Sequence, residues 1–177
     1  MRRGRLPMQR FFRNRRGATA VEFALVAAPF FFGMFAIIEL GLVFVLSSVL
    51  DNATLQAGRL VRTGQMQAGD AATYKTAVCN RMSIFSGDCN ARLTIDVRVV
   101  PRFDNPNLPD PFRTTGGTTT FDPSAMGYQN SQARDIVVVR SWWRQPLFTP
   151  LMSQGLSKLG DGQAILSSTD AFRNEPW

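Results

Sequence analysis

Residues 18–50 read ATAVEFALVAAPFFFGMFAIIELGLVFVLSSVL, and Glu22 and Glu39 are the only charged residues among them. From Phe23 to Leu50 the run is 28 residues. As a helix it is about 42 Å long at 1.5 Å per residue, against a bilayer hydrocarbon core of about 30 Å. It therefore spans a membrane with length to spare: either the helix tilts, or its last two or three turns project beyond the bilayer. A secretory signal peptide has an apolar region of roughly 7–15 residues followed by a small-residue cleavage site. This run is longer, carries a glutamate at its start, and shows no A-x-A site between Ser47 and Ala53.

The flanking charges orient that anchor. Arg2, Arg3, Arg5, Arg10, Arg13, Arg15 and Arg16 place seven positive charges in the first sixteen residues, with no acid among them. The whole chain is formally +7, so the rest is neutral, thirteen basic residues against thirteen acidic. The positive-inside rule puts this leader in the cytoplasm and everything after about residue 50 outside; Arg59 and Arg62 oppose it only weakly. The expected division is a cytoplasmic Arg-rich leader at 1–17, a transmembrane helix at 18–50 and a periplasmic domain at 51–177. The localisation that follows is the inner membrane of a bacterium, single-pass. A basic balance confined to a leader describes topology, not a nucleic-acid surface, which requires a basic patch on the folded domain.

Histidine is absent from the chain. That excludes Ser-His-Asp and Cys-His catalysis and every metal site that uses imidazole. Two cysteines, Cys79 and Cys89, are too few for a four-thiolate zinc site. No nucleophile–base pair and no phosphate loop is visible, and Asp161 between two glycines reads as a turn. The expectation is a non-enzymatic chain with no cofactor and no metal.

Beyond the anchor the helical pattern runs on to about Thr63, where Gly64 is a plausible stop. Residues 70–86 read as a second, short helix capped by Asp70. The period then changes. Leu93, Ile95, Val97 and Val99 alternate with Thr94, Asp96 and Arg98, the pattern of a half-buried strand over 92–100. Residues 101–133 carry Pro101, Pro106, Pro109, Pro111, Gly116 and Gly117 and read as a long exposed loop holding at most a short hairpin arm. DIVVVRSWW at 135–143 is a second strand and AILSSTDAFRN at 164–174 a weaker third, with one or two helical turns between them. The fold class is α+β: a long N-terminal transmembrane helix, one short helix and a small antiparallel sheet of three or four strands, with the outer part of the long helix covering the sheet.

The junction of leader and anchor reads Arg15-Arg16-Gly17-Ala18-Thr19-Ala20-Val21-Glu22-Phe23. A membrane-embedded peptidase must accommodate backbone on both sides of the bond it cuts, and glycine presents no Cβ there. The arginines hold the leader at the cytoplasmic face. An acidic side chain well inside a membrane helix costs about 2.5–3.5 kcal/mol on insertion scales, so Glu22 needs a cationic partner. RRGATAVEFALV resembles the processing site of the Tad/Flp pilus system, and specifically of its TadE-like pseudopilins. The closing FRNEPW, residues 172–177, resembles the ending of the same family. The resemblance covers roughly residues 14–65 and the last few. It implies a pilin-like fold and cleavage after Gly17 by a prepilin peptidase. Glu22 would then pair with the amine freed at Ala18, its own or a neighbouring subunit's. The implied partners are the peptidase, other pilins and pseudopilins of the Tad system, and inner-membrane lipid. The implied role is that of a minor pseudopilin in pilus assembly, serving adhesion and biofilm formation. The alternative is an uncleaved, membrane-anchored periplasmic module that binds or scaffolds a partner.

Other features are weaker. Ala20, Ala24 and Ala28 form a small-xxx-small ladder of the kind that lets helices pack closely in lipid, or ordinary composition for a membrane helix. Pro29 removes one helix hydrogen bond and favours a local kink. Glu39, 17 residues after Glu22 or about 25 Å along a helix, reads as a snorkelling interfacial carboxylate rather than a functional ion pair. Cys79 and Cys89 are expected to be disulfide-bonded in an oxidising periplasm, stabilising by roughly 2–3 kcal/mol in the chain-entropy model. Asp104, Asn105 and Asp110 are oxygen donors without EF-hand spacing, and a solvated loop is the simpler reading. Trp142 and Trp143 point to opposite faces of a strand; one is core, and the other is an interface anchor or an aromatic covering the sheet.

Overall fold

A computed structural model describes residues 17–177 apart from 67–68, 105, 157–158 and 160–161. The Arg-rich leader lies outside the described residues, except for Gly17, and so does Asp161. The chain divides into two compact units between Ile38 and Glu39. Architecture is α+β. A long apolar helix is followed by short helices and antiparallel strands.

Helix α1 runs Ala18–Arg62, 45 residues, with Pro29 inside it. Its end is a Schellman turn: the Gln65 N–H reaches the Leu60 carbonyl at 2.9 Å and the Gly64 N–H reaches Val61 at 3.1 Å. Gly64 sits at φ +74°, in the left-handed region. A Cβ there would lie 2.6 Å from Trp177 Cδ2, so both the turn and the ring packed on it require glycine. The chain's closing segment docks at this same end. The Glu175 N–H donates to the Arg62 carbonyl (3.0 Å), and the Glu175 carboxylate pairs with Arg62 at 3.3 Å.

In the C-terminal unit, Leu46, Leu50, Ala53, Ala57 and Val61 recur at helical spacing, and all five are buried. They share one core with Val97, Val137, Val139, Trp143 and Phe172 of the sheet. The approach is close at Gly58, where a Cβ would meet Phe172 at 3.1 Å and Val139 at 3.4 Å.

Helix α2 spans Ala71–Cys79, and the Asp70 carboxylate caps it by accepting the Thr73 N–H at 2.7 Å. That hydrogen bond holds the Asp70 carboxyl below its ordinary pKa. The expected helix over 70–86 thus stops early. After Cys79 come a turn, a 3-10 turn at Ser83–Phe85, and the single-turn α3 at Cys89–Arg92. The structure joins Cys79 to Cys89 with Cα atoms 5.5 Å apart. A helix continued to residue 86 would have carried the chain about 10 Å away at 1.5 Å per residue, so the chain reverses instead. Tyr74, on α2, is wholly buried, and that desolvation pushes its phenol pKa well up.

Strands β1 (Leu93–Val100), β4 (Ile136–Pro146) and β5 (Gln163–Arg173) form one antiparallel sheet in the order β1-β4-β5. The weakest strand by pattern, β5, is as long as β4, at 11 residues. Between β1 and β4, strands β2 (Phe112–Thr115) and β3 (Thr118–Phe121) make a hairpin. Its turn is Gly116-Gly117, both at positive φ, as a type I′ turn requires. Helix α4 is Pro150–Leu156.

The 101–133 segment carries the expected short hairpin and its described residues are largely exposed, but it is not a free loop. It folds back over the second face of the sheet and along the free edge of β1. Val97 donates to the Gly127 carbonyl (2.8 Å) and accepts from Gln129 N–H (2.9 Å), so residues 127–129 pair with that edge. Phe121 packs against Trp142 with ring centroids 6.2 Å apart. The consequence for Asp96, expected on a solvated face, is full burial. It stands directly across from Arg140. Its carboxylate accepts from Arg140 (2.6 Å), from Arg98 (2.9 Å) and from the Gly127 N–H (2.9 Å). Of the two tryptophans, Trp143 belongs to the helix-side core against Phe85. Trp142 covers the other face beneath Phe121, with the Arg140 guanidinium 4.8 Å from its ring centroid.

Because Arg140 is buried with this carboxylate, Asp96→Asn leaves a buried guanidinium without its counter-charge, at a cost of about 3–5 kcal/mol. The exposed pair Arg102–Asp104 at 2.8 Å is the control: Asp104→Asn shifts stability by less than about 0.5 kcal/mol. Denaturant midpoints of the two variants measure the difference, and equal midpoints contradict the burial of Asp96.

Candidate functional site

The N-terminal unit holds the residues around the leader junction. Gly17 is exposed, in the turn just before α1, and a Cβ there would meet nothing within 4 Å. Helix α1 starts at Ala18, so Ala18 and Glu22 stand one turn apart on the same helix face. Glu22 is exposed, and among the described residues no cation lies within ion-pair distance of it. Phe23 is 71% exposed.

From Thr19 to Phe35 every side chain is exposed or half-exposed, although the helix is long and apolar enough to cross a membrane. An apolar surface all round a helix has no place in water. Ala20, Ala24 and Ala28 are all exposed on this helix. Gly33 and Gly41 open onto free space, so nothing in this chain requires their lack of a side chain. The phenylalanines stack along the helix, with Phe31 and Phe35 centroids 6.4 Å apart.

Glu39 opens the C-terminal unit, and sequence reasoning misjudged its surroundings. It is neither snorkelling nor ion-paired. It is 9% exposed. Its carboxylate accepts the backbone N–H of Phe148, the N–H of Thr149 (3.0 Å) and the Thr149 hydroxyl. Those donors lie directly before α4, whose first residue is Pro150, so Glu39 fixes the segment that leads into that helix. The signal was available only in part: Thr149-Pro150 marks a helix start, but nothing in the sequence ties it to a carboxylate over a hundred positions away.

The remaining candidates have local roles. Asp104 pairs with Arg102, and Asp110 accepts the Phe112 N–H at 2.8 Å. Asn105 lies outside the described residues. Among the described residues, no group of three or more Cys, Asp or Glu is placed to hold a metal ion. Removing the Glu39 carboxylate leaves two backbone donors and a hydroxyl unpaired, so opening of the segment before α4 becomes easier by about 1–3 kcal/mol. In Glu39→Ala, amide exchange of residues 147–153 accelerates by about 5–100-fold, measured by mass spectrometry against an unchanged β4.

Comparison with known proteins gave one family. The family model described as TadE-like protein matches residues 17–59. No curated protein and no solved structure matches the chain. The matched segment opens on Gly17 and takes in nearly all of α1. Over residues 17–59, therefore, the chain is similar to TadE-like proteins.

Proposed function

We propose that this chain is a minor pseudopilin acting in assembly of a Tad/Flp-type pilus, the surface fibre used for adhesion and biofilm formation. The observation that carries the reading is the TadE-like match over residues 17–59, whose first residue is the glycine at the leader boundary. Components of this kind are structural, and the reading assigns no chemistry to the chain. In this reading the apolar run crosses the bacterial inner membrane ahead of Leu46, which with Leu50 belongs to the folded core, with the leader in the cytoplasm and the domain in the periplasm. A prepilin peptidase cuts between Gly17 and Ala18. Its remaining partners are other pilins and pseudopilins of the Tad system.

Physical chemistry links the cut to Glu22. Cleavage removes the seven arginines of the leader and creates an amine at Ala18. A new ammonium at the membrane face is a cation for Glu22, which has none within ion-pair distance among the described residues, supplied by the same chain or by a neighbour. The ladder of Ala20, Ala24 and Ala28 supplies a face on which another helix can approach closely. The oxidising periplasm accounts for the Cys79–Cys89 disulfide.

Intact mass of the protein purified from cells with and without the peptidase tests the cut. The expected product begins at Ala18 only where the peptidase is present; a full-length chain in both backgrounds overturns the reading and leaves an uncleaved anchored module. Separately, Glu22→Gln removes the charge that pairs with the new amine while easing insertion. It is expected to insert and be cut normally yet fail to support piliation. Normal piliation by Glu22→Gln breaks the link between cleavage and glutamate without touching the cleavage itself.

A further inference from the structure

Two large apolar side chains outside α1 are more exposed than any on it. Phe148 is 84% and Ile84 82% exposed, whereas the most exposed large apolar residue of the helix, Ile37, reaches 73%. They come from different excursions. Ile84 is at the tip of the 3-10 turn between α2 and α3, and Phe148 is in the segment between β4 and α4. The fold nevertheless brings them together: both line one shallow cleft with Phe85, Trp143 and Gln145. Phe148 also lines the adjoining cleft with Glu39, Leu42 and Leu46 of α1. Its position is not incidental, because the Glu39 carboxylate holds the backbone of Phe148 and Thr149. On the helix itself Leu42 is 55% and Val45 52% exposed. The apolar surface thus runs from α1 at Leu42 across Phe148 to Ile84.

We propose that Ile84 and Phe148, continuous with Leu42 of α1, form a membrane-seating surface of the C-terminal unit that enters the headgroup–acyl boundary of a phospholipid bilayer. The inference rests on the reading of α1 as the membrane span. Lipid is the occupant favoured by two observations. The surface begins at Glu39–Leu42, within the apolar run that a bilayer must cover. It consists of two projecting tips rather than a flat patch, and a soft solvent accommodates tips without a complementary pocket. Insertion of apolar side chains about 5–10 Å into this boundary is how peripheral segments bind membranes. Charge does not drive the seating, since Arg92 in the same cleft is already paired with Asp88 at 3.1 Å. The surface therefore works on zwitterionic lipid. Its consequence is mechanical: the domain is held at a fixed height and orientation on the membrane, with Glu39 as the tie between helix and seat.

The test is depth-dependent quenching of an added tryptophan in the full chain, reconstituted in phosphatidylcholine vesicles with acyl-chain bromines, near the headgroups in one set to reach 84 and 148 and near the chain ends in another to reach 30, which lies about 18 Å along the helix from Leu42. Probes are Ile84→Trp, Phe148→Trp, the helix probe Phe30→Trp, and Phe103→Trp, which is 57% exposed and in a different loop. All four replace exposed side chains, and emission is read relative to the parent. Loss of most of the added emission at 84, 148 and 30, with none lost at 103, is the expected result. If 30 is quenched but 84 and 148 behave like 103, the seating surface is wrong and the span stands. If 30 is also unquenched, both fall. If 84 and 148 are shielded from aqueous acrylamide yet untouched by brominated lipid, a second copy or another protein covers them and the lipid assignment is overturned.

Discussion

One helix with two kinds of surface governs this protein. Up to Phe35 the side chains of α1 lie open to their surroundings. From Leu46 to Val61 one stripe of the same helix is the spine of a folded core. One face of the sheet, α2 and the closing residues answer to that stripe. The inward faces of the sheet are apolar because they meet it. Gly58 is small because the sheet comes so near. The closing residues fold onto the helix end, where Gly64 leaves room for Trp177. A sheet with an apolar face must bury it against another layer, and the helix is that layer.

The second face of the sheet obeys a different constraint. It is covered not by a helix but by an irregular excursion with a two-stranded hairpin, and that cover carries polar backbone which must be satisfied. Asp96 is the solution. Its carboxylate holds the Gly127 N–H from the cover and the two arginines from the sheet, so one buried charge fastens cover to strand. The same excursion occupies the edge of β1 through residues 127–129, which keeps that edge from pairing with another chain.

The candidate functional residues divide in the same way. Gly17, Glu22 and the alanine ladder are exposed among the described residues. Residues that the chain's own packing does not explain are where an external partner, lipid or protein, is to be sought. Glu39 is the opposite case, an acid in an apolar run whose position is fully explained by donors from the segment before α4.

Much of this was legible in the sequence, because periodicity and composition are local. The apolar run, the strand alternation at 93–99, the Asp70 cap, the Gly64 stop and the glycine–glutamate spacing each follow from residues within one or two turns of one another. That the outer part of the helix covers the sheet was expected; where along the uninterrupted apolar run the core begins was not. Leu25 and Leu46 sit in one uninterrupted run, yet Leu25 is 71% exposed and Leu46 2%. Nor could the sequence by itself bury Asp96, join Glu39 to Thr149, or bring Ile84 beside Phe148. Those outcomes depend on contacts between positions far apart in the chain. Alternation places a side chain on one face of a strand, but only the tertiary structure decides what lies against that face.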